Sequence, residues 1–233
     1  MLITSKRYTG FTLAEVLITL SVIGVVAALT IPTVTKNVEK AQCRAAFKRN
    51  YAMLADAARR IMLDNGGTLA GAFENGGVGD SPLRDKFLEY IPAAKVCPEE
   101  EVGTCWHKDK VVRYLSPAKG YSYDRSVYAN AILSSGALVS FMVNDPFCND
   151  IDYGHPGETD PKFFNTCGTI WIDVNGFKGP NVIGKDVFTV KVRRNGIVPG
   201  GYGINPKSSN WQCKVTDTGE HCASAVLQNI DYY

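Results

Sequence analysis

The stretch that decides the fold is residues 9–34, TGFTLAEVLITLSVIGVVAALTIPTV. From residue 11 to residue 35 the chain is almost wholly apolar, yet it carries one acid, Glu15. Residues 16–35 hold no charge, and a run of that length is about the span of a bilayer core. The segment predicts a membrane-spanning helix. Glu15 needs an explanation, because a lone carboxylate near the centre of the hydrocarbon costs about 2.5–3.5 kcal/mol.

Beyond Pro32 the apolar pattern becomes one-sided. Apolar residues then recur at alternating spacings of four and three, which is typical of one face of a helix. They are Phe47, Tyr51, Leu54, Ala58 and Ile61. The run ends at Asn65 and Gly66, residues that commonly terminate helices. The sequence predicts one helix over residues 11–64, apolar over residues 11–35 and amphipathic over residues 36–64.

Six of the seven cysteines lie in the second part of the chain as three local pairs. Behind an apolar N-terminal segment, this usage indicates disulfides formed in an oxidising compartment. Six cysteines allow 15 connectivities, and sequential pairing is our first expectation. The candidates are Cys97, Cys105, Cys148, Cys167, Cys213 and Cys222. For Cys43, the odd thiol, we expect burial where the helix meets the head, with an intersubunit disulfide as the alternative.

Zinc is the rival use of these cysteines. The ligands would be Cys97, Cys105 and His107, or Cys213, His221 and Cys222. The sequence has no CxxC knuckle and only three histidines, and His107, His155 and His221 show no ligand spacing, so disulfides are favoured.

The remainder of the chain predicts a small α+β head. Residues 65–82 are rich in glycine and indicate a connector, and residues 83–233 the globular head. A short helix is predicted at PLRDKFLEY. Strands are predicted at VYANAIL, ALVSFMV, TIWIDV and DVFTVKV, and the first two form a hairpin. An antiparallel sheet of about four strands would cover the apolar stripe of the long helix.

The segment Gly10-Phe11-Thr12-Leu13-Ala14-Glu15 follows a short leader, residues 1–10, with Lys6 and Arg7. It closely resembles the processing signal of type IV pilins and type II secretion pseudopilins. The resemblance extends to Gly24 and Pro32, where family members often loosen or kink the helix. It implies cleavage after Gly10 by a prepilin peptidase, N-methylation of Phe11, delivery to an inner-membrane assembly platform and polymerisation with itself or homologous pilins.

On this interpretation Glu15 is an assembly device. Cleavage would create a second charge that is costly to bury, the α-amine of Phe11, one helical turn before Glu15. Between neighbouring subunits the two charges can neutralise each other. A subunit at the wrong height would leave a buried charge unpaired, which is costly, so the pair would set the register of the filament.

Topology signals conflict. Two basic residues precede the span, whereas five follow it closely, namely Lys36, Lys40, Arg44, Lys48 and Arg49. Counting positive charges would place the head in the cytoplasm, but large domains translocate largely regardless of charge. The cysteine pairs therefore favour a single-pass protein of the inner membrane with an extracytoplasmic head. After assembly the protein would be part of an extracytoplasmic filament.

Other ligands and activities receive less support. Asp173, Asn175 and Asp186 offer oxygen ligands for calcium, but the glycine is not where an EF-hand needs it. No cofactor is therefore expected, and calcium at these residues is the minor alternative. DNA is not an expected partner, because the basic section of the helix has no interleaved aromatic residues to stack bases. No hydrolase, metalloprotease or nucleotide-binding motif is present, so an enzyme is not expected.

The function predicted is a structural subunit of a pilus-like or secretion pseudopilus filament. Two alternatives remain: a minor or tip pilin with a binding role in adhesion or DNA uptake, and an anchored extracytoplasmic binding module that never polymerises. The second needs neither Glu15 nor cleavage at Gly10.

Overall fold

The computed structural model describes residues 10–73, 79–98, 101–150, 165–208 and 211–233. Within it the chain divides into two compact units, Met1–Gln42 and Cys43–Tyr233. The predicted leader before Gly10, part of the connector and His155 lie outside the described residues.

The long helix, α1, is Leu13–Asp64 and runs through Pro32. It ends where the sequence predicts, and Gly66 and Gly67 follow in left-handed conformations (φ 67° and 90°) that favour glycine. The predicted start at Phe11 is wrong by two residues, because Thr12 serves as the N-terminal cap.

The unit Cys43–Tyr233 contains one six-stranded sheet whose neighbouring strands are all antiparallel and follow chain order. The strands are β1 Ala93–Val96, β2 Ala129–Leu133, β3 Leu138–Val143, β4 Thr166–Asp173, β5 Val187–Arg193 and β6 Gly196–Pro199. Two short helices, α2 Ser81–Leu88 and α3 Cys222–Leu227, accompany it. The α+β class, with a long N-terminal helix and an antiparallel sheet, is confirmed.

All four predicted strands are present, together with the hairpin of β2 and β3. The estimate of about four strands is too low, because the two edge strands are missed. Strand β1 has only four residues, AAKV, and three of them are exposed, so it carries no apolar pattern. Strand β6 follows β5 through a tight turn in which Arg193 pairs with Gly196, and the Asn195-Gly196 pair at this turn is a sequence signal for a hairpin.

The core lies where the amphipathic half of α1 packs on the sheet. Phe47 is fully buried, and its ring centroid lies 4.5 Å from that of Phe188 on β5. Leu54, Ala58 and Ile61 are also buried, as the stripe predicts, whereas Tyr51 is only partly buried. The stripe also includes buried Asn50, which donates to the carbonyl of Ala46 and accepts from the Ser135 hydroxyl.

Strand β4 is buried on both faces. Ile170 and Ile172 join the core shared with α1, and Trp171 joins a second cluster with Trp106 and Val112. This double burial explains why every residue of β4 is buried.

The start of the predicted connector is part of the core. Leu69 is fully buried, and its backbone N–H donates to the carbonyl of Arg194 at 2.8 Å. Phe73 stacks near Phe87 of α2. The glycines of this stretch permit tight turns, while its two large apolar residues attach it to the sheet.

Candidate functional site

The first turn of α1 contains a capping box built by Thr12 and Glu15. The backbone N–H of Thr12 donates to Oε2 of Glu15 at 2.8 Å, and the Thr12 hydroxyl donates to the same oxygen at 2.7 Å. In return the backbone N–H of Glu15 donates to Oγ1 of Thr12 at 3.3 Å. The arrangement satisfies two backbone donors that the start of a helix leaves without partners. Within the chain, therefore, Glu15 caps a helix.

Four hydroxyl groups of the apolar half are also satisfied internally. Thr19, Ser21, Thr30 and Thr35 each donate to a carbonyl one turn earlier, at 2.8–2.9 Å. Such bonds let a hydroxyl enter hydrocarbon without an unsatisfied donor. The polar residues of this segment are thus compatible with lipid or with a tightly packed protein environment.

The apolar half of α1 presents its side chains outward. Leu13 is 78% exposed and Leu29 is 73% exposed. Among the described residues, α1 is the helix long and apolar enough to cross a membrane, with a mean hydropathy of 2.3 over its most apolar window. None of that window is buried within the chain. Burial of these side chains requires lipid or other protein molecules.

Two glycines of this region face open space. A Cβ atom added at Gly10 or at Gly24 would meet none of the described residues within 4 Å. Packing among the described residues therefore does not require glycine at either position.

Residues 5–31 match a family model, the prokaryotic N-terminal methylation motif. The chain carries the signature of prepilin-like proteins. This signature is shared by type IV pilins and pseudopilins, and it points to a structural protein. Together with the apolar helix, the signature fits anchoring in a membrane followed by a place in an extracellular filament. No curated protein and no solved structure matches the chain.

The head behind the prepilin-like signature is held by three disulfides. They join Cys97 to Cys105, Cys148 to Cys167 and Cys213 to Cys222. This is the sequential pairing that is the first expectation from the sequence. The zinc alternative is wrong for both proposed sites, because their cysteines are bonded to each other and have no thiolate to offer a metal. Cys43 is partly buried, packs against the main core and forms no disulfide with a described residue.

The calcium candidates lie together, and the carboxylates of Asp173 and Asp186 accept hydrogen bonds from protein donors, whereas the buried Oδ1 of Asn175 has no hydrogen-bond partner among the described residues. Both oxygens of Asp186 accept from backbone, at 2.8 Å from Asn181 and 2.7 Å from Val182. Asp173 accepts the backbone N–H of Asn175 and contacts Nε2 of His107. Among the described residues no group of three His, Cys, Asp or Glu could hold a metal ion. The cluster therefore closes the loop between β4 and β5 on itself.

The partnership of His107 with Asp173 is not predicted from the sequence. Nε2 of His107 lies 2.8 Å from Oδ2 of Asp173, and both residues are buried. Burial raises the pKa of Asp173 to about 7. The residues are 66 positions apart, so no local spacing could have paired them. The capping box, by contrast, is predictable from the sequence, because Thr12 and Glu15 have the T-x-x-E spacing before an apolar run.

Proposed function

We propose that the chain is a filament subunit of the type IV pilus or secretion pseudopilus kind. The peptide bond after Gly10 is cleaved, the new N-terminal amine of Phe11 is methylated, and the subunit polymerises through the apolar half of α1. The observation that carries the proposal is the methylation motif, which overlaps a helix whose most apolar window is not buried by any of the described residues.

Two environments would cover that half of the helix in turn. Before assembly the lipid of the inner membrane surrounds it, with the disulfide-bonded head on the extracytoplasmic side. After assembly the helices of neighbouring subunits replace the lipid. Both environments are apolar, so the same side chains serve both states at little cost in free energy.

Glu15 gains a second partner on assembly in this scheme. In the single subunit it caps the helix with Thr12. In the filament its carboxylate would also neutralise the α-amine of Phe11 on a neighbouring subunit. A subunit that failed to align would bury a charge without a partner, so this pair would select the correct axial position.

The first test is intact-mass and N-terminal peptide spectrometry on protein purified from its native membrane. We expect a mature chain that starts at Phe11 and carries one additional methyl group. The matched variant is Gly10→Val. A Cβ atom added at Gly10 meets none of the described residues within 4 Å, so the variant tests the peptidase rather than the fold. A wild-type chain that still begins at Met1 would contradict processing. So would a Gly10→Val chain that is processed normally.

A further inference from the structure

A pair of antiparallel segments at residues 111–113 and 121–123 displays alternate side chains on the surface of the head. Arg113 pairs with Tyr121 in a β-bridge, and the N–H of Ser122 donates to the carbonyl of Val112 at 2.8 Å. Val112 and Ser122 point inward and are buried. Alternation then directs Arg113, Tyr121 and Tyr123 outward.

The outward side chains combine flat rings with positive charge. Tyr123 is 77% exposed and Tyr121 is 46% exposed. The guanidinium of Arg113 lies 5.3 Å from the centre of the Tyr121 ring. Lys110 and Lys119 are exposed at the ends of the two segments. These five residues, Lys110, Arg113, Lys119, Tyr121 and Tyr123, are called the tyrosine platform below.

The tyrosine platform is attached to the sheet by a buried cation. Arg125 donates to the carbonyl of Tyr123 at 2.7 Å and to the hydroxyl of Ser122 at 2.6 Å. Its guanidinium lies over the ring of Trp171 on β4, 4.2 Å from the ring centre. The loop that bears the exposed tyrosines is therefore held in place before any ligand arrives, which lowers the entropic cost of binding.

The charge of residues 108–124 is positive, and Glu220 brings one acid from another segment to 3.9 Å from Arg125. Lys108 also lies exposed nearby, and the exposed acid of the same stretch is Asp109. The carboxylate of Asp124 accepts both the backbone N–H and the hydroxyl of Ser126. Its charge is therefore directed into its own turn. Four cations thus stand against two acids along residues 108–124.

We propose that the tyrosine platform binds single-stranded nucleic acid. Exposed aromatic rings interleaved with cations are what an unpaired strand requires, because its bases stack on the rings and its phosphates pair with the cations. A neutral glycan would use the rings but gain little from the cations, and an acidic polysaccharide would use the cations but gain less from the rings. The basic section of α1 has cations without interleaved rings, so the expectation against DNA that was drawn from that section does not extend to the head.

The test measures fluorescence anisotropy of a labelled oligothymidylate of about 20 nucleotides with the full chain in non-ionic detergent micelles. We expect binding that weakens as salt rises from about 50 to 200 mM. Tyr121→Ser together with Tyr123→Ser should weaken it by at least about tenfold, since each stacked base contributes substantially. Arg113→Gln together with Lys119→Gln should lower the slope of log affinity against log salt by about 1.4, which is two phosphate contacts on a single strand.

The control for the rings is Tyr202→Ser, because Tyr202 is 50% exposed and lies beyond β6, outside the platform. Circular dichroism melting of every variant reports folding separately. Absence of binding at low salt would overturn the proposal, and so would equal losses from Tyr202→Ser and the platform tyrosines. A heparin fragment that binds independently of Tyr121 and Tyr123 while displacing the oligonucleotide would identify an acidic polysaccharide surface instead. None of these results depends on filament assembly. Failure of this proposal can therefore be distinguished from failure of the proposed function.

Discussion

The two halves of α1 differ in how far their apolar side chains are buried within the chain. In the unit Met1–Gln42, leucines such as Leu29 are largely exposed, whereas in the unit Cys43–Tyr233 Leu54 is fully buried. The amphipathic half finds its partner in its own chain, a sheet that covers one face. The apolar half has apolar side chains all round, so a single sheet could not cover it. A continuous helix can therefore serve two environments, provided that its pattern changes along its length.

The largest expected effect comes from the single charge of the apolar half. Glu15→Ala should leave cleavage and membrane insertion intact but lower filament incorporation on the order of tenfold or more, because a misaligned or unpaired charge costs several kcal/mol. Incorporation is measured by immunoblotting of sheared filaments against the membrane fraction.

Two further variants separate the roles of charge and cap in that effect. Glu15→Gln keeps an oxygen for the capping box and removes the charge, whereas Thr12→Val removes the capping hydroxyl and keeps the charge. If charge sets the register, Glu15→Gln fails to assemble and Thr12→Val assembles. The reverse pattern would show that Glu15 acts only as a helix cap.

The second effect is a matched pair of substitutions in one helix. Leu54→Ala should lower the free energy of unfolding of the head by about 2–5 kcal/mol, since it leaves a cavity in the core. Leu29→Ala should change it by less than about 0.5 kcal/mol, because Leu29 is 73% exposed. Urea unfolding followed by tryptophan fluorescence measures both. Equal losses would abolish the distinction between the two halves.

The third effect belongs to the head alone and depends on pH. Burial raises the pKa of Asp173 from 3.8 to about 7, so the folded protein binds this proton more tightly than the unfolded chain does. The stabilising contribution is complete below about pH 4 and is lost as pH rises through about 7. Asparagine does not titrate, so in Asp173→Asn the free energy of unfolding no longer falls through this residue as pH rises.

The difference in free energy of unfolding between Asp173→Asn and wild type should therefore shift in favour of the variant between pH 5 and pH 7. Its slope should be at most about 1.4 kcal/mol per pH unit, the value for one proton. Asp56→Asn, at an exposed acid on α1, is the control. A difference that stays constant over this range would show that Asp173 does not titrate there.

The smallest effect tests how the C-terminal residues attach to the amphipathic half. Arg44 donates to the carbonyl of Ile230 and to Asp231, and its guanidinium lies over the rings of Tyr232 and Tyr233. Arg44→Ala should lower the free energy of unfolding by about 1 kcal/mol.

Arg59→Ala is the comparison, because Arg59 is 72% exposed and should cost less than about 0.5 kcal/mol. Both values come from the same urea titrations. A loss at Arg59 as large as that at Arg44 would show that contact with the tyrosines contributes nothing.

The interior strands and the long helix could be predicted because their signals are local. Residues such as Phe47 and Ile61 repeat at the helical period, and β4 and β5 are short segments rich in β-branched and aromatic residues and bounded by turns. Strand β1 could not be predicted, because AAKV becomes a strand only by pairing with β2. The same holds for the burial of Asn50, which depends on Ser135 at the turn between β2 and β3.

The sequence by itself determined the membrane-length helix, its change of character beyond Pro32 and the methylation motif with Glu15, because each is written in consecutive residues. The tertiary structure decided what lies together across long separations. It joined His107 to Asp173, placed Arg125 over Trp171 beneath the exposed tyrosines, and made Leu69 part of the core. Period and composition are properties of a chain segment, whereas these contacts exist only after the sheet has brought distant segments together.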